Sequence, residues 1–139
     1  MLKNTGITIA LAMLSMVGAL GIDAYLPSFP AIIQDFQTTP LAVQQTLSIY
    51  VGAMAITTLF AGTLSDSFGR RPTVIVSLLL FTAGSALAIF AKDIQVLLVA
   101  RALQGVAAGF GSVLSRTIVQ DRFQGAEAQR VMALIMMVF

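Results

Sequence analysis

Four apolar runs, at about 6–27, 45–65, 73–91 and 94–119, each approach or exceed the ~20 residues that an α-helix needs to cross the hydrocarbon of a bilayer. The connections between them are short and polar. Helices satisfy their own backbone hydrogen bonds in lipid, so this succession predicts an all-α membrane protein, with four transmembrane helices and the start of a fifth at about 128–139. The composition, 58% hydrophobic and 10% charged, excludes a soluble enzyme, and no nucleophile, base and orienting group can be assembled. The chain has no cysteine and no histidine, so neither a disulfide nor a structural zinc site is expected. Basic residues are scattered and the net charge is only +2, which argues against a nucleic-acid partner.

The first run, Ile7 to Leu26, carries one charge, Asp23. Lys3 ahead of it and Ala19-Leu20-Gly21 within it resemble parts of a secretory signal, but the apolar stretch is long enough to stay in the bilayer. Asp23-Ala24-Tyr25-Leu26-Pro27-Ser28-Phe29-Pro30 should end or bend the helix, since each proline removes a backbone donor. A polar connection from Gln34 to Pro40 follows. In the second span Ser48, Gly52, Ala55 and Gly62 form one stripe, expected to pack closely on another helix. The third span is uncharged. In the fourth, Arg101, Gly105, Ala108, Ser112 and Ser115 recur at helical spacing beside Gln104, so this stripe should face protein or water. Gly52, Gly105 and Gly109 are the expected packing positions. Tyr25, Tyr50 and Met54 could line a pocket, and each reads as packing.

Charges orient the chain. With the amino terminus inside, Lys3, Arg70, Arg71, Arg116, Arg122 and Arg130 lie on or near the cytoplasmic side, against Lys92 outside, as the positive-inside rule requires. Asp23 and Arg101 then fall at similar depth, roughly 6 to 10 Å below the outer surface. A charge at a helix centre costs ~2.5 to 3.5 kcal/mol on insertion scales, so contact between the two would offset part of that cost. The functional reading makes them part of a proton or substrate pathway; the alternative is a fixed ion pair between helices.

The stretch Gly62-Thr63-Leu64-Ser65-Asp66-Ser67-Phe68-Gly69-Arg70-Arg71-Pro72 reads as a charged turn, and its pattern resembles the loop after the second helix of major facilitator superfamily transporters. Arg101-Ala102-Leu103-Gln104-Gly105 is similar to the fourth-helix R-x-x-Q-G motif of proton-coupled members. Asp23 to Pro27 with Pro30 resembles the first-helix signature of the bicyclomycin and chloramphenicol resistance (Bcr/CflA) branch, and Arg116 with Asp121 the charged end of the fourth helix. The resemblance implies one amino-terminal repeat, a fourth helix and part of a fifth, out of twelve helices in two halves. It implies a conformational latch of Gly62, Asp66, Gly69, Arg70, Arg71 and Asp121, in which Arg70 pairs with Asp66 and Asp121 while Asp66 caps a helix of the opposite half. Ser67 departs from the basic residue common there.

By the same resemblance the full protein is expected to exchange a hydrophobic drug for protons across the bacterial inner membrane, with Asp23, Arg101 and Gln104 on the pathway. The proton gradient would supply the energy, without a cofactor, and the carboxy-terminal half of the same protein would complete the site. The fragment alone is expected to be inactive. Efflux of sugars or nucleosides by the same fold, and a small oligomeric four-helix multidrug exporter, are the alternatives.

Overall fold

A computed structural model describes residues 5–138. The elements are α1 (Thr5–Asp23), a 3-10 turn (Leu26–Ser28), α2 (Phe29–Asp35), α3 (Pro40–Phe68), α4 (Arg70–Ile89), α5 (Ile94–Arg122) and α6 (Gly125–Val138). Lys3 and Phe139 lie outside the described residues. Four helical segments are long and apolar enough to cross a membrane: Thr5–Asp35, Pro40–Phe68, Arg70–Ile89 and Ile94–Arg122.

Local chemistry sets boundaries that hydropathy misses. α3 starts at Pro40 rather than near 45, because Thr39 accepts a hydrogen bond from the Ala42 amide at 3.2 Å and proline suits the first helical position. α5 starts after Asp93, whose carboxylate accepts from the Val96 amide at 2.9 Å. The supposed turn from Gly62 to Pro72 is mostly helix: α3 runs through Phe68, α4 begins at Arg70, and the break is Gly69 alone, at φ 94°. An L side chain rarely adopts that φ, so one glycine reverses the chain. The first helix stops at Asp23 rather than reaching 27. Pro27 then enters the 3-10 turn, and Pro30 lies in the first turn of α2, where its missing N–H costs nothing.

The helices pack around α5. Its most apolar window is 56% buried inside the molecule, against 17–22% for the other three spans. α1, α3, α4 and α6 all dock on it, and the backbones of α1, α3 and α4 approach one another far less. Small residues permit this: a Cβ on Gly109 would lie 2.7 Å from Thr57 Cβ, and one on Gly111 3.0 Å from the Leu14 carbonyl oxygen. Serine and threonine hydroxyls in the spans donate within their own helices, as where Thr57 donates to the Ala53 carbonyl at 2.8 Å and Ser112 to Ala108 at 2.9 Å.

The stripe expected on α3 packs differently. Gly52 has nothing within 4 Å of a built Cβ, and neither has Gly62. The face that meets α5 instead carries Val43, Thr46, Tyr50, Thr57, Ala61 and Ser65. Gly52 therefore makes no packing contact, because its stripe points away from α5 and towards a groove shared with Ser48 and Ile56. Small residues permit close approach but do not say which face is approached.

Candidate functional site

Arg101 is 4% exposed, in the stretch of α5 that faces α1 and α3. Its Nη1 donates to Gln104 Oε1 at 3.0 Å and its Nη2 to the Gly21 carbonyl at 2.9 Å. The guanidinium carbon lies 4.1 Å from the ring centre of Tyr25 and 4.2 Å from that of Tyr50. Both distances are well within cation–π range. Nε is buried and has no hydrogen-bond partner among the described residues.

Each wall of this cage is itself tied down. Tyr50 donates to the Gly18 carbonyl at 2.9 Å, while the Tyr25 hydroxyl hydrogen-bonds Thr46 Oγ1. Gln104 Nε2 donates to Ser85 Oγ at 3.0 Å, and Ser85 donates to the Phe81 carbonyl at 2.9 Å. Gly21 leaves room for the Tyr50 ring, since a Cβ there would lie 2.9 Å from Tyr50 Cζ. One network thus joins α1, the turn after it, α3, α4 and α5.

Similar depth left contact between Asp23 and Arg101 open; among the described residues the two form no ion pair, and Asp23 is exposed. The reason lies in the helix end. Because α1 stops at Asp23, the Ala24 amide bonds Leu20 and the Tyr25 amide bonds Ile22, which leaves the Gly21 carbonyl to take the guanidinium instead. The negative end of the helix dipole favours a cation there as well. Arg101 is thus balanced by two neutral acceptors and two aromatic faces.

Tyr25 and Tyr50, which the sequence offered as pocket lining and which read as packing, form the walls of this cage, while Thr46 and Ser85, which hold Tyr25 and Gln104, were not singled out and carried no signal in the sequence. Tyr50→Phe should cost about 1 kcal/mol, a typical net hydrogen bond. Tyr50→Leu should cost roughly 2 kcal/mol more, since a desolvated cation–π contact goes as well. Thermal unfolding in detergent should rank wild type, Tyr50→Phe and Tyr50→Leu in falling order; equal midpoints for all three would deny the ring any role.

A second cluster stands at the Gly69 end. Arg70 Nη1 lies 2.7 Å from Asp66 Oδ1, its Nε 2.9 Å from Asp121 Oδ2, and Nη1 also donates to Ser65 Oγ at 2.5 Å. This fastens the start of α4 to both α3 and the end of α5. Arg71 was expected in the same latch; it enters neither ion pair, although it borders the cleft that Arg70 and Asp121 also line. Gly62 is likewise not part of the turn. No group of three or more His, Cys, Asp or Glu able to hold a metal occurs among the described residues.

The Major Facilitator Superfamily pattern matches residues 11–139. The chain belongs to that superfamily. It is a multi-pass membrane protein of a transporter family rather than of an enzyme family. Similar proteins include an uncharacterized MFS-type transporter, YdgK, of Bacillus subtilis, 38% identical over 98% of this chain and 34% of the relative. A bicyclomycin resistance protein homolog of Haemophilus influenzae is 36% identical over 99% of this chain and 35% of its own length. Multidrug resistance protein D of Escherichia coli is 28% identical over 97% of this chain and 34% of its own. The chain thus spans about a third of the curated relatives it matches. No solved structure matches it. Membership of the superfamily removes the small oligomeric four-helix exporter as a reading.

Proposed function

We propose that this segment works in a drug:proton antiporter of the Bcr/CflA type, in the bacterial inner membrane with the amino terminus in the cytoplasm. The observation that carries the reading is the Arg101 cage. A cation buried in the membrane without a carboxylate partner costs stability, and such residues mark ion and substrate pathways. Relatives named for multidrug and bicyclomycin resistance support a hydrophobic drug as cargo. The positive charges at the Gly69 end, against Lys92 at the other, support the orientation.

In this reading Arg101 is the fixed cation, permanently protonated, that holds the end of α1 against α5. Asp23, exposed two residues beyond the carbonyl that Arg101 holds, is the carboxylate that exchanges a proton or meets a cationic drug. Gln104 orients Arg101 and relays its position to Ser85 on α4. Asp66, Arg70 and Asp121 latch one state. Transport needs the carboxy-terminal half, and this chain by itself moves nothing.

The test is proton-coupled efflux by the complete transporter in sealed vesicles with an imposed pH gradient. Drug should leave against its gradient only while protons flow, and Asp23→Asn should stop that coupling. Efflux that ignores the pH gradient would remove the antiport, and an intact Asp23→Asn would remove the carboxylate from the pathway.

A further inference from the structure

We infer that a cleft at the Gly69 end binds the phosphate of an anionic phospholipid from the adjoining leaflet. The cleft, about 600 Å³, lies between the start of α4 and the end of α5. Arg71 and Arg122 border it, both exposed and neither in an ion pair among the described residues. Between them Arg70 and Asp121 neutralise one another. Asp66, Arg70 and Asp121 together carry one negative charge and Arg71 with Arg122 two positive, so the mouth is left with an excess of one positive charge.

Backbone donors add to this. α4 begins in the cleft and no side chain caps its first turn. Its first bond back to the turn is the Thr73 amide to the Gly69 carbonyl, at 3.4 Å, so the Arg70 and Arg71 amides precede the ladder. Uncapped amides and the positive end of a helix dipole favour phosphate oxygens.

The walls select a lipid over a soluble anion. Below the arginines the cleft is lined by Val74, Ile75 and Ile118. Val74 and Ile118 also border an apolar groove that continues between Leu11 and Leu14 of α1 and Leu78 of α4. Leu78 lies roughly 10 Å below Arg71 along α4, at 1.5 Å per residue. A ligand with phosphate at the rim and hydrocarbon beneath it meets guanidinium, amide and apolar wall in the right order. Basic pockets between spans at a membrane surface take anionic headgroups for the same reason. The inference stands apart from any transported cargo.

The purified protein in mild detergent, equilibrated with equal amounts of phosphatidylglycerol and phosphatidylethanolamine, is read by native mass spectrometry. Phosphatidylglycerol should be retained in preference. Arg71→Gln with Arg122→Gln should lower its retention about thirty-fold, the effect of removing two cations from a lipid-facing surface. Arg71→Lys with Arg122→Lys should keep most of it. Equal retention of the two lipids by the wild type, or undiminished phosphatidylglycerol on the glutamine variant, overturns the inference. Displacement of the lipid by millimolar inorganic phosphate overturns it too, since the site would then hold a soluble anion.

Discussion

Gly105→Ala in α5 is expected to lower stability by roughly 1 to 3 kcal/mol, the range for forced overpacking. Elsewhere in a helix the same change helps, because alanine restricts the unfolded chain. Here the added methyl would overlap the carbonyl oxygen of Tyr50 and stand 3.0 Å from Ala53 Cβ. The first of these is backbone in the middle of α3 and cannot swing aside. Relief requires α3 and α5 to move apart, which would pull the Tyr50 ring off Arg101. Gly52→Ala supplies the contrast, since open space surrounds that position. Thermal unfolding in detergent should show a clear loss for Gly105→Ala and none for Gly52→Ala. Matching behaviour of the pair would mean that α3 and α5 are not in the contact described.

Arg101→Lys should cut transport by the complete protein at least about tenfold while leaving it folded. Lysine keeps the charge but offers a single ammonium in place of a planar fork. It cannot reach Gln104 on its own helix and the Gly21 carbonyl on α1 together while lying flat between two rings. Hydrogen bonds to charged groups contribute about 1.5 to 3 kcal/mol each, so losing one accounts for a tenfold effect or more. Arg101→Met removes the cation and should abolish transport. Its stability should change less than its activity, because removing a buried charge offsets part of what the stranded acceptors lose. Efflux assays beside unfolding curves separate the two effects. Full transport by Arg101→Lys would reduce the cage to packing.

The spans and the polar stripe of α5 were legible because lipid imposes a simple rule: apolar length makes a helix, and polar or small residues turn inward. Arg101, Gln104, Gly105, Ser112 and Ser115 are all buried on that face. The stripe on α3 followed the same rule and failed at Gly52, since lipid tolerates a small residue as readily as a partner does. Similar depth made contact between Asp23 and Arg101 possible without deciding it; depth carries no azimuth, and the freed Gly21 carbonyl is what takes the guanidinium. The tyrosine walls were hidden because an aromatic ring stacked on a cation and one packed on leucine look alike in sequence. Thr39 and Pro40 did announce the start of α3, and hydropathy alone passes over them because neither is apolar.

The central place of α5 also bears on the order of assembly. It is the last of the four spans to leave the ribosome, yet it supplies the surface on which the other three pack. Until it inserts, the earlier helices have little to hold them but the bilayer, and the tyrosines of the cage have no cation to enclose. Association should therefore wait on that fourth insertion and then proceed as one cooperative event, in the manner of helices that insert first and associate afterwards. Interrupting synthesis just before Ile94 would leave three loosely held spans, a natural substrate for membrane proteases.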